Sequence, residues 1–121
     1  MSDLSYMELN LMQIYDVLRQ AAFLRLGVCS GRQPYVIPMA YQLEIDCAKV
    51  ILHLASPALG RKTEAVRVNP LVCAEIELPG CGWLDTVVAE GRLTSTPVAG
   101  GVHWQLHALS LSGRRYFQPA T

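Results

Sequence analysis

The chain has no surplus charge of either sign. Ten Lys and Arg residues are matched by ten Asp and Glu, for a formal net charge of zero and a pI near 6.8. A protein built to grip nucleic acid or an acidic membrane carries a basic excess, so that class is set aside. Weak repulsion between copies near neutral pH favours self-association. No apolar run approaches the roughly 18 residues that a membrane-crossing helix needs. Met1-Ser2-Asp3-Leu4 is no basic leader ahead of an apolar stretch, and a cytoplasmic location is expected. Cys29, Cys47, Cys73 and Cys81 form no C-x-x-C pair. That removes a clustered thiolate zinc site, and reduced, partly buried thiols are expected. Repeats, low-complexity tracts and linker-like composition are missing too. So are the G-x-G-x-x-G and Walker patterns of dinucleotide and P-loop sites, and the G-x-S-x-G of a nucleophile elbow.

What is present suits one domain. Over 121 residues, 51% hydrophobic and 17% charged content is too apolar for disorder and large enough for a core. Ser5-x-x-Glu8 reads as a capping box ahead of Met7, Leu11, Ile14 and Leu18, which recur at helical spacing. An N-terminal helix over about 5–20 is expected. Strands follow at Phe23 to Cys29, Tyr35 to Leu43 and Lys49 to Ala55, joined closely enough to be antiparallel hairpins. A short helix from Leu59 to Val68 should stop before Asn69-Pro70, because the residue before proline avoids helical backbone. Leu71 to Leu78 alternates, with Val72, Ala74, Ile76 and Leu78 on one face, and Trp83 to Thr94 is a fifth, long strand. Residues 102–116 read as a C-terminal helix. A barrel over about 22–97 with flanking helices is the expected architecture: mainly β, small and antiparallel. Apolar residues on both faces of several strands imply that part of the outer wall is covered, most simply by a second subunit.

Three places invite chemistry. In Ser56-Pro57-Ala58-Leu59-Gly60-Arg61-Lys62-Thr63-Glu64, two cations open a helix, the end where acidic residues are normally favoured. Cations, a glycine and free backbone N–H groups together suit a phosphate; the alternative is two side chains reaching into water with Glu64 as partner. Pro38 interrupts the strand Tyr35 to Tyr41 and requires an edge, a bulge or backbone open to a ligand. His53 interrupts Val50-Ile51-Leu52 and Leu54-Ala55, as either a satisfied packing residue or a functional one. His103 and His107 would share a helical face, but no third ligand is adjacent and no metal site is expected.

Taken in order, the motifs resemble a known family. Leu26-Gly27-Val28-Cys29 with Pro34-Tyr35-Val36-Ile37-Pro38-Met39, then His53-Leu54-Ala55 before Gly60-Arg61-Lys62, form the first part. Asn69-Pro70-Leu71-Val72-Cys73, Val87-Val88-Ala89-Glu90-Gly91-Arg92 and a tail through Arg115-Tyr116 and Pro119 complete it. Over about residues 20–119 the chain is similar to the FMN-binding split barrels related to pyridoxamine 5'-phosphate oxidase. More narrowly, it resembles the small flavoproteins of the nitroimidazole-resistance type.

The resemblance implies a homodimer with FMN at the subunit interface. Arg61 and Lys62 would hold the 5'-phosphate, and Ile37, Pro38, Met39 and Ala40 would lie along the ring and ribityl chain. His53 and Ala55 would be close by, while Trp83 and Thr86 would approach from the partner subunit. The implied activity is an FMN-dependent oxidoreductase acting on a small-molecule acceptor, with His53 as the catalytic proton donor or orienting group. The C-terminal segment that supplies substrate-binding Arg and His in pyridoxamine phosphate oxidases is missing, so pyridoxamine phosphate is not the expected substrate. The alternative is a non-catalytic dimeric split barrel binding flavin, or haem through His103 or His107.

Overall fold

The computed structural model describes residues 5–118. Eight strands and two helices follow in the order β1 (Tyr6–Glu8), α1 (Leu11–Gln20), β2 (Phe23–Ser30), β3 (Gln33–Ala40), β4 (Gln42–Asp46), β5 (Lys49–Ser56), α2 (Arg61–Val68), β6 (Leu71–Pro79), β7 (Trp83–Val98) and β8 (Gly101–Phe117). All pairings are antiparallel. The sheet order is β3-β2-β6-β7-β8-β5-β4, with β1 added to β8. β3 also approaches β5, which curls the sheet toward a barrel, and α2 packs on β2.

The core follows from period-two alternation. Leu24 and Leu26 of β2, Leu52 and Leu54 of β5, Ile76 of β6, Val87 of β7 and Trp104 and Leu106 of β8 are all buried. On β6 the expected face is seen, since Val72, Ala74 and Ile76 turn inward. α2 ends where proline requires, with the Asn69 N–H bonded to the Ala65 carbonyl. Pro38 lies on β3, at one end of the strand order, so its missing donor breaks no ladder with a further strand.

Four expectations need correction. Residues 102–116 are not a helix: they form most of β8, which pairs with both β7 and β5, so the barrel extends well beyond residue 97. A bulge explains the misreading. Glu90 opposes Ser110 while Gly91 opposes Ala108, which leaves Leu109 as an extra, exposed residue. The insertion shifts the inward parity from Trp104 and Leu106 to Gly113, and Val102, Leu106 and Leu109 then mimic helical spacing.

At the other terminus, Tyr6–Glu8 is strand β1 rather than helix, and the capping box is Asn10 with Gln13. Each side chain bonds the other's backbone N–H at 2.9 Å, and the helix buries Ile14, Val17 and Leu18 while Met7 and Leu11 stay exposed. The stretch read as one strand over 35–43 breaks at Tyr41, and Gln42–Asp46 becomes β4, hairpinned to β5 through Cys47 and Ala48 at positive φ. All four cysteines are free and exposed rather than partly buried. Pro119 lies outside the described residues.

Two of the close approaches that glycines permit shape the middle and end of β8. A Cβ on Gly113 would meet Cγ1 of Ile14 at 2.8 Å, so a side chain there would push against α1. A Cβ on Gly91 would lie 2.2 Å from the His107 carbonyl oxygen, across the bulge. Gly91→Ala should therefore lower stability to urea by about 2 kcal/mol or more, because backbone rather than a flexible side chain must move. Unchanged stability would contradict the bulge geometry.

Candidate functional site

Two neighbouring regions carry the polar chemistry that the sequence singled out. The first is the start of α2. Gly60 caps it at φ 137°, ψ 171°, a conformation essentially restricted to glycine, and no side chain satisfies the first-turn N–H groups. The preceding loop is tied down by Thr63, whose hydroxyl donates to the Pro57 carbonyl at 2.8 Å and lies 3.2 Å from Ser56 Oγ. Arg61 reaches back to the β2–β3 hairpin. Its guanidinium sits 4.2 Å from the centre of the Tyr35 ring, and Nε donates to Ser30 Oγ at 3.1 Å.

Lys62 is half-buried and makes no ion pair among the described residues. Glu64 is no partner for either cation, because it pairs with Arg67, whose hydrogen bond holds its carboxyl below the usual range. Two positive side chains thus remain without a carboxylate at an already positive helix terminus.

The second region lies just upstream, on the outer face of β4, β5 and β8. Ala40, Tyr41, Gln42, His53, Ala55 and His103 surround a cavity of about 370 Å³. His53 Nε2 lies 2.7 Å from Glu44 Oε1, and its Nδ1 lies 2.9 Å from His103 Nε2. The two imidazole planes differ by 11° and their centres are 5.1 Å apart. Subtracting the N···N distance leaves about 2.2 Å, which two ring radii span, so the rings meet edge to edge with the bond in plane. Tyr41 closes the cavity, its hydroxyl donating to the Leu18 carbonyl at 2.7 Å.

The structure brings together some of the sequence-derived residues and separates others. Ala40, His53 and Ala55 line one cavity. Arg61 and Lys62 follow a short loop from the end of β5. On β3, Met39 is buried, Ile37 half-buried and Pro38 exposed. Trp83 and Thr86 are elsewhere. They pair with Phe117 and Arg114, whereas His53 pairs with Gln105. Arg114 is nine steps along β8 from Gln105, about 30 Å of extended strand. Trp83 stacks under Arg115, which forks onto buried Asp85 at 2.7 and 3.0 Å, and Thr86 lines a separate cavity with Glu8 and Arg114.

Glu44 and the His53–His103 contact were not legible at the sequence level. Strand alternation around buried Trp104 and Leu106 was the available signal, since it puts His103, Gln105 and His107 on the opposite face of β8. On a strand, His103 and His107 stand about 13 Å apart and are not a ligand pair. Their Nε2 atoms are already engaged by His53 and by Thr94 at 3.1 Å.

No family model and no curated protein matches the chain. Solved structures do. A FAD-binding protein from Mesorhizobium loti superposes with a TM-score of 0.81 at 24% identity, covering 91% of this chain and 97% of that one. A candidate 5-nitroimidazole antibiotic resistance protein from Bacteroides thetaiotaomicron gives 0.82 at 16% identity, over 95% and 90%. A candidate pyridoxamine 5'-phosphate oxidase from Corynebacterium glutamicum gives 0.70 at 13% identity, over 99% and 100%. The chain has the split-barrel fold of the pyridoxamine 5'-phosphate oxidase-like proteins.

Burial pushes the Tyr41 hydroxyl up to about 12 from its ordinary value of 10.0. Across that window the unfolded chain loses the proton first, so the unfolded state binds fewer protons and stability falls as pH rises. Tyr41→Phe should cost about 1 kcal/mol at neutral pH through the lost hydrogen bond. It should also flatten the decline between pH 10 and 12, read by urea unfolding. Identical declines in the two proteins would refute this.

Proposed function

We propose that the chain is a flavoprotein that binds FMN and reduces a small-molecule acceptor. The observation that carries this is the start of α2, where Arg61 and Lys62 lack a carboxylate partner at a helix terminus capped only by Gly60. A terminal phosphate is a dianion, and it fits two cations that have no carboxylate partner plus N–H groups that no side chain caps. A flat, largely apolar ring would then lie along the edge strand at Ile37, Pro38, Met39 and Ala40, toward His53 and Ala55. FAD-binding proteins of the same fold make FAD the competing choice, and the flavin released by heating decides between them. No feature favours haem, because His103 and His107 both have Nε2 occupied.

We propose further that the working unit is a homodimer in the cytoplasm. Trp83 and Thr86 are a strand length from His53 in one protomer, so they can join its cavity only from a second copy. Exposed Val36, Leu71 and Leu109 supply apolar surface on the outer wall for such a contact.

Flavin, when bound, supplies hydride and single-electron chemistry. The chain's own contribution is anchoring at Arg61 and Lys62, an apolar wall on β3, and a proton held at His53. Lys62→Ala should weaken FMN binding at least tenfold, about 1.4 kcal/mol, by fluorescence titration. Unaltered affinity would count against the anion site. His53→Ala should keep FMN affinity but slow turnover with nitro compounds or quinones, and equal turnover would remove it from the chemistry.

A further inference from the structure

We propose that His103 is a second proton-handling residue at the His53 cavity, and that Glu44, His53 and His103 form a directional chain holding one proton at a time. Its catalytic use rests on the flavoprotein reading above, whereas the proton order rests on geometry alone. Glu44, 47% exposed, is a carboxylate and can only accept, so His53 Nε2 must carry the hydrogen that bridges them at 2.7 Å. A neutral imidazole has one N–H, which leaves His53 Nδ1 as a lone pair in the ring plane. His103 Nε2 faces that lone pair end-on at 2.9 Å and must therefore donate. One carboxylate thus sets the tautomer of two imidazoles. His103 Nδ1 is left as the open end, with no hydrogen bond among the described residues, beside the cavity.

The chain takes up a proton at that open end. When His103 Nδ1 gains one, the Nε2 hydrogen can pass to His53 Nδ1, and the positive charge then rests between His103 and the Glu44 carboxylate. A second proton would oppose two N–H groups across the 2.9 Å contact and place two imidazolium ions side by side, so the contact must break. Delivery reverses the sequence. The Nδ1–H bond of His103 breaks, the proton bonds to a basic atom of the substrate, and His53 returns its hydrogen to His103. The pair ends neutral, and a reduced flavin, when bound, would supply the substrate's electrons. Other charged groups on the same sheet face include Asp46 on β4, Lys49 on β5, Glu90 and Arg92 on β7 and His107 on β8. None of these bonds to His53, whose ring partners among the described residues are Glu44 and His103.

The chain contains three histidines, so long-range ¹H–¹⁵N correlation of ¹⁵N-labelled protein resolves every ring. At neutral pH both His53 and His103 should be protonated on Nε2. Glu44→Ala, which removes the acceptor, should let both rings populate the Nδ1–H tautomer, whereas His107→Gln should leave both on Nε2. A proton on the Nδ1 of either ring in the unaltered protein, or an unchanged tautomer in Glu44→Ala, would overturn the chain.

With FMN bound, His103→Gln should lower kcat at least tenfold while FMN affinity stays within twofold. Wild-type turnover in that variant would overturn the catalytic role. Failure of the protein to take up flavin would sink the flavoprotein reading instead, because the ring correlations are measured on the protein alone.

Discussion

The whole molecule depends on one antiparallel ladder, β7 against β8. Sixteen and seventeen residues long, these strands link the β2–β3–β6 part of the sheet to β5 and β4, and β8 also carries β1. β7 keeps one inward face, from Asp85 to Leu93, but β8 does not. The bulge at Gly91 changes the inward parity of β8 half-way along. Above the bulge, Trp104 and Leu106 fill the barrel while His103 turns out toward His53. Below it, Gly113 makes room for α1, and Arg115 pairs with buried Asp85. A carboxylate as buried as Asp85 is tolerable because the Arg115 fork satisfies both its oxygens.

The same ladder explains why functional groups sit where they do. Polar side chains with partners, such as Asp85 with Arg115 and Glu64 with Arg67, are structural pairs. The cations at the start of α2 stand apart because Glu64 is already taken. A glycine-capped helix start, an edge strand with a proline and a histidine cavity all follow consecutively from β3 to α2. Short connections in a curled sheet thus collect them without any long-range insertion.

Much of this was legible in the sequence, and the failures have definite causes. Val72, Ala74 and Ile76 on β6 were readable because a strand with one buried face alternates strictly. Pro38 narrowed its strand to an edge, a bulge or backbone open to a ligand because proline lacks a ladder donor, and β3 stands at one end of the strand order, while α2 ended where Asn69-Pro70 required. The C-terminal segment was misread because a bulge mixes two strand parities into something close to helical spacing. Ser5 and Glu8 matched a capping box in composition, but Asn10 and Gln13 complete one while Tyr6 to Glu8 pair with β8. The Glu44–His53–His103 contact joins residues 50 positions apart and depends on register, which local pattern does not carry.

The central claim is that the α2 start and the edge strand together hold a flavin. The most direct test is the visible spectrum of the purified protein passed through a gel-filtration column with added FMN. The account predicts flavin absorbance co-eluting with protein at one FMN per chain, in a peak of twice the 13.3 kDa chain mass. A colourless protein peak, with all FMN eluting as free small molecule, would contradict it and return Arg61 and Lys62 to the status of solvated helix charges.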